Sequence, residues 1–180
     1  MGLNQSLKRI SAVVALSGLA MGVPAAHAAK TTAARTAGSG SASGTVTVNE
    51  KTSKIAFAYA HEVKGFFDPT KPDIEVILSD VALSAKALTS FGERGRLADA
   101  GRIHTFEITI NRSGKPVSSA FYNNGFGGAS PSGLDSSDAL TVKMLAAASI
   151  DAKYKSSGVH EFFGNRYSFD VAFQASITKK

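Results

Sequence analysis

Two stretches place a His-Glu pair among aromatic residues with a glycine four positions after the histidine: "AHEVKGFFD" at 60–68 and "VHEFFGNRY" at 159–167. A helical H-E-x-x-H would set two imidazoles on one face to hold zinc, with the glutamate as general base. The fifth position is Gly65 in one stretch and Gly164 in the other. The signature fails at the same place twice, and both stretches read as rims of β-strands. After residue 28 the chain has three histidines, His61, His104 and His160. An interior imidazole must hydrogen-bond or bind metal, since leaving it unsatisfied costs about 1–3 kcal/mol. Hydrogen bonding is the expected solution. The alternative is one zinc ion held by His61, His104 and His160 with Glu62 or Glu161, which needs the three imidazoles within about 4 Å of one another.

Other chemistries find little purchase. No G-x-S-x-G elbow occurs, and "GASPSG" at 128–133 has the wrong spacing for one. "NNGFGGASPSG" at 123–133 is glycine-rich but runs into Pro131 and Gly133, without the Lys-Ser/Thr pair and helix start of a phosphate loop. It reads as a long connection, on which Phe126 is a candidate exposed contact for a ligand. Asp68 and Asp73 lack the spacing of a calcium loop, and "DPTKPD" makes a rigid turn into a strand. Phe66, Phe67, Phe162 and Phe163 cluster beside the His-Glu pairs. They would either cap a β-core or, with Phe126, line a site for a sugar or a lipid chain. The absence of tryptophan favours the cap.

The elements that would position these residues follow an amino-terminal segment with its own logic. Lys8 and Arg9 precede the apolar run Ile10–Val23, Pro24 ends it, and "AHA" at 26–28 supplies small residues for signal peptidase. Residues 1–28 are therefore expected to be a signal peptide, and the apolar run is short for a membrane span. The expected address is the periplasm or the extracellular space. The chain has no cysteine, which removes disulfides, thiol catalysis and thiolate metal ligands. Without Lys8 and Arg9, 18 basic residues face 14 acidic ones, and Lys30 and Arg35 lie in a polar leader expected at 29–43. The remaining domain, expected at 44–180, is close to neutral, which argues against nucleic acid as a partner.

From Gly44 onward a period of two dominates. Ile55, Phe57 and Tyr59 share one face of a strand, Ile74, Val76 and Leu78 one face of the next, and Phe106, Ile108 and Ile110 one face of a third. The third strand turns at "NRSG" and returns through Val117 to Tyr122 as a hairpin. Tyr167, Phe169, Val171, Phe173, Ala175 and Ile177 alternate with polar or small residues in the clearest strand of all. The stretch 140–154 is read as strand broken by a bend near Ala147. A helical insertion is expected at 84–100, capped by Ser84, interrupted by Gly92 and Gly95, stopped by Gly101, with Leu88 and Phe91 on one side. The expected fold is all-β: a single antiparallel β-sandwich, or alternatively a β-barrel, with one short helical insertion.

In their order, "GTVTVNEK", "FFDPTKPDIEVILSD" and "HEFFGNRYSFDVAF" resemble a loosely defined group of uncharacterised bacterial exported all-β proteins. The resemblance implies a fold and an address and transfers no activity or site. The functional expectation is a non-enzymatic domain that binds an unidentified protein or small ligand through loops at one end, with the 123–133 loop and the aromatic rim as contacts. A hydrolytic or metal-dependent enzyme is the alternative.

Overall fold

The computed structural model describes residues 39–128 and 130–179. The expected signal peptide and most of the expected leader lie outside the described residues. Among the described residues ten strands and two α-helices follow one another: β1 Ser39–Val48, β2 Lys51–Lys54, β3 Phe57–Val63, β4 Asp73–Ser79, α1 Ala85–Thr89, α2 Phe91–Asp99, β5 Thr105–Ile110, β6 Pro116–Tyr122, β7 Ala139–Leu145, β8 Ser149–Lys155, β9 His160–Phe162 and β10 Asn165–Thr178. The all-β class with a short helical insertion is what the structure shows. Strand pairing begins at Ser39, ahead of the Gly44 at which the domain was expected to start. None of the helices among the described residues is long and apolar enough to cross a membrane.

All ten strands belong to one sheet in the order β6-β5-β4-β3-β1-β10-β8-β7, with β2 on β1 and β9 on β10. The sheet curls into a half-barrel, so its two halves face each other as the layers of a sandwich would, but they are joined through β3, β1 and β10. The joint uses β1, which pairs with β10 from Ser41 to Val48 and with β3 from Ser39 to Ser41. Beyond it β10 meets β3 directly, Ile177 beside Ala60 and Thr178 beside His61 in parallel. Two glycines allow this crowding: a Cβ on Gly40 would stand 1.8 Å from Gln174 O, and one on Gly44 2.0 Å from Asp170 O. Gly44 also has φ +117°, a conformation reserved for glycine.

The inner core is aromatic. Phe106 stacks on Phe121 with centroids 4.3 Å apart and meets Tyr154 at 5.7 Å and Phe169 at 4.8 Å, so β5 and β6 touch β8 and β10 across the half-barrel. Val76, Leu78, Ile108, Val171 and Phe173 complete it, as the alternation predicts. β3 departs from the expectation. Ala58 and Ala60 face the inner core, whereas Tyr59 and the partly buried Phe57 pack on the outer face with Ile77, Leu83, Ala87, Ala98 and Ile103. The helices cover that outer face, so β3 is buried on both sides, and small side chains suit the inside of the corner where the sheet folds toward β10.

The insertion is two helices, not one. Ser84 caps α1 by accepting from Ala87 N at 3.2 Å, and Ser90 takes an extended conformation and caps α2 by accepting from Glu93 N at 3.2 Å. The break therefore falls at Ser90, while Gly92 and Gly95 lie inside α2. Ser-x-x-Glu at 90–93 is a capping-box spacing that marks this second start in the sequence. Leu88 packs on the outer cluster as expected, but Phe91 is exposed. The stretch 140–154 is a hairpin, β7 and β8, bent at residues 146–148.

Candidate functional site

Each histidine is placed beside its own carboxylate. His61 on β3 lies directly across from Glu75 on β4, with Nε2 2.9 Å from Oε2 but poorly aligned for a hydrogen bond. His104 takes two contacts from Asp80: its backbone N donates to Oδ1 at 2.9 Å, and Nδ1 lies 2.7 Å from Oδ2. That contact raises the His104 pKa above its ordinary value against the opposing effect of burial. His160 has Nε2 2.8 Å from Asp138 Oδ1 and Nδ1 3.4 Å from Asp135 Oδ2. Asp80 directly follows β4 and lies five residues beyond Glu75, roughly 16 Å at a strand's rise per residue, so His61 and His104 cannot share a ligand. His160 lies beside Tyr167 and His61 beside Thr178, eleven residues further along β10, so the three imidazoles of the alternative zinc set do not converge. Among the described residues no group of three or more His, Asp or Glu side chains is placed to hold a metal ion.

The five candidate phenylalanines also divide. Phe126 is a correction: it is 2 % exposed and packs into the core against Phe121 and Tyr167, with centroids 6.0 and 5.6 Å away. Asn123 accepts from Gly125 N at 2.8 Å and starts a single 3-10 turn, Asn124–Phe126, which Gly127 ends at φ +67°. That tight turn swings the Phe126 ring inward, an outcome a glycine-rich composition does not reveal. Phe66 and Phe67 follow β3 at the end of the sheet where Thr178 closes β10. Phe162 and Phe163 sit on the β9–β10 hairpin at the opposite end of the same strand. The length of β10 between the two pairs is about 40 Å, so the expected aromatic rim is two rims.

The Phe163 end is the more constructed of the two. Asn49, at the tip of the β1–β2 hairpin with φ +47°, donates through Nδ2 to Gly125 O at 3.0 Å and to Asn165 Oδ1 at 2.7 Å. Its Oδ1 accepts from Arg166 N at 2.9 Å. One side chain thereby ties together the β1–β2 turn, the 123–127 loop and the β9–β10 hairpin. The loop at 133–138 is secured by His160, because Asp138 Oδ1 accepts from Ser157 N at 2.8 Å while lying against the imidazole. Sequence reasoning missed Asn49 and Asn165; the only local signal was an Asn before Glu at a hairpin turn, where a left-handed conformation is tolerated.

Two grooves open on this end. One of about 310 Å³ is lined by Thr47, Asn49, Glu50, Val159, Arg166 and Tyr167, and another of about 370 Å³ includes Leu134, Asp135, Phe162 and Tyr167. Val159 and Leu134 line them and are 59 % and 41 % exposed, and Phe163 on the adjoining hairpin turn is 84 % exposed. Phe163 also holds φ +47°, a conformation that costs a non-glycine residue about 1–2 kcal/mol. Burial raises the Tyr167 hydroxyl above its ordinary range, with Asp138 and Asp135 adding to the effect. The arrangement offers apolar contact beside amide and carboxylate groups. It does not form a hydrolytic triad: both nitrogens of His160 face carboxylates, and the nearby hydroxyls of Ser137 and Ser157 meet each other at 2.8 Å.

The other concentration of charge, Arg94 with Glu107, lies beneath the helices at 3 % and 8 % exposure and is a structural contact. No family model, curated protein or solved structure matches the chain.

Proposed function

We propose that this chain is an exported, non-enzymatic β-domain, kin to the bacterial exported proteins it resembles, that binds a partner or ligand through the loops at its Phe163 end. The observation that carries the reading is Phe163 itself. It presents an almost fully exposed ring from a strained backbone position, on a hairpin that Asn49 and Asn165 hold in place. A side chain that is costly in two ways, in exposure and in conformation, is retained most readily where contact with something else repays it. Pre-ordering by Asn49 lowers the entropy lost on binding. The two grooves at the same end, one lined by Val159 and Arg166 and the other by Leu134 and Phe162, give a bound segment apolar floor and polar edge.

Export is tested by intact mass of material recovered outside the cytoplasm, which should begin at Ala29 or Lys30; a chain retaining residues 1–28 sinks that part. Binding is tested by screening the mature protein against immobilised peptides and glycans. Each hit is then repeated with Phe163→Ser and, as a control at the other end, Phe66→Ser. The reading expects a loss of about tenfold or more for Phe163→Ser alone. A hit that is cleaved, or one indifferent to Phe163, removes it in favour of the enzyme or of another surface.

A further inference from the structure

The opposite end of the sheet carries a surface that the reading above leaves unused. Phe66 and Phe67 are 68 % and 78 % exposed and stand edge to face with centroids 4.9 Å apart. Their loop is tightly built. Phe66 N donates to Asp73 Oδ2 at 2.8 Å, Thr70 donates to Asp68 Oδ1 from N at 3.0 Å and from Oγ1 at 2.6 Å, and Lys71 N donates to Asp68 O at 3.0 Å. Gly65 is pressed into it so closely that a Cβ would stand 2.1 Å from Lys71 O. Two phenylalanines are therefore held outward by a rigid turn, with no ring partner but each other among the described residues.

The surrounding charge is positive. Lys64, Lys71, Arg112, Lys115 and Lys179 gather at this end, against the carboxylates of Glu62, Asp68 and Asp73. All three carboxylates are engaged locally: Glu62 with Arg112, Asp68 with Lys71 at 3.0 Å, and Asp73 with the Phe66 amide. Lys64, Lys115 and Lys179 remain exposed around the aromatic tip. A groove of about 430 Å³ runs from Phe67 to the turn at 111–113, with Lys71 and Arg112 on its walls and Asp68 and Asp73 also lining it.

We propose that this end docks on the surface of an anionic lipid bilayer, Phe66 and Phe67 entering the interface and the lysines meeting headgroup phosphates. Paired exposed aromatic side chains suit a soft interface, where rings settle at headgroup depth, and flanking lysines add attraction to anionic lipid. The Phe163 end carries Glu50, Asp135, Asp138 and Glu161 against Lys51 and Arg166, an excess of carboxylates that lacks that complementarity.

The test is flotation of the full mature protein with vesicles of phosphatidylcholine alone and with about 30 % phosphatidylglycerol. Binding is expected only to the anionic vesicles, and it should weaken strongly as salt rises from about 0.1 M to about 1 M. Phe66→Ser with Phe67→Ser should weaken it about tenfold or more, and Lys64→Glu with Lys115→Glu should do so by the independent, electrostatic route. The chain has no tryptophan, so Phe67→Trp is a clean reporter whose emission should shift to the blue on anionic vesicles alone. Absence of binding overturns the proposal. So does binding unaffected by both pairs of substitutions, or a concentration-dependent dimer in light scattering that the double serine variant abolishes, which would assign the surface to a second copy of the chain.

Discussion

Arg94 of α2 reaches down onto the outer face of the sheet, where its guanidinium meets the carboxylate of Glu107 on β5 and lies 5.5 Å from the centre of the Tyr122 ring. It also donates to Ala87 O at 2.7 Å and Leu88 O at 3.3 Å, closing the carbonyl end of α1. One buried side chain thus fastens both helices to the sheet. Above pH 7, Arg94→Met should cost about 3–5 kcal/mol, because Glu107 loses the partner that holds its pKa down and must either stay buried as an unpaired carboxylate or take up a proton. Arg94→Met with Glu107→Leu should recover most of that loss. Urea denaturation of the two single and the double variants checks this, and a single-variant cost below about 1 kcal/mol would show that the pair does not hold the helices.

Stability should also depend on Glu107 through pH. Burial pushes its pKa from the ordinary 4.5 up to about 7, Glu75 adds to the rise, and Arg94 opposes it. The folded chain then keeps a proton that the unfolded chain releases, so stability from this group is fullest below about pH 4.5, falls as pH rises toward about 7, and is flat above. Glu107→Gln should flatten that slope. His104, whose pKa is raised by its hydrogen bond to Asp80, contributes a further decline as pH rises through its folded value, and this part should survive in Glu107→Gln. Unfolding midpoints measured across pH 4 to 9 separate the two.

The joint of the half-barrel is sensitive to a single methyl group. Gly44→Ala places a Cβ against Asp170 O and forces φ +117° on a residue that resists it, and should cost more than about 3 kcal/mol. Gly158→Ala, where nothing lies within 4 Å, should stay within about 0.5 kcal/mol. Thermal melts of equal severity for both would remove the argument that β1 is pressed against β10.

Two phenylalanines on neighbouring loops should behave oppositely. Phe126→Ala empties a core position and should cost about 3–5 kcal/mol. Phe163→Gly should stabilise the fold by about 1 kcal/mol, since glycine accepts φ +47° without strain. If Phe163 serves binding, the same substitution should weaken it, and melting temperatures beside an affinity measurement distinguish the two effects.

Alternation by itself determined which residues share a face: Phe169, Val171 and Phe173 on one side of β10, Ile74, Val76 and Leu78 on one side of β4. Local chemistry marked the hairpin at Asn111–Gly114, where Asn111 Oδ1 accepts from Ser113 N and Lys115 N, and the Ser84 cap of α1. These features depend on neighbours within a few residues. Which face of β3 meets the core was a different matter, because β3 is covered on one side by the opposite half of the sheet and on the other by the helices, and a period of two cannot rank two buried faces. The separation of His61 from His104 came from pairings of intermediate range, β3 with β4 and β4 with β5, and the splitting of the aromatic rim from pairings between residues more than a hundred positions apart, such as Ser41 with Gln174 and Ala60 with Ile177. Register across such distances is decided by the packing of the whole sheet, and the loops at its two ends go wherever that register sends them.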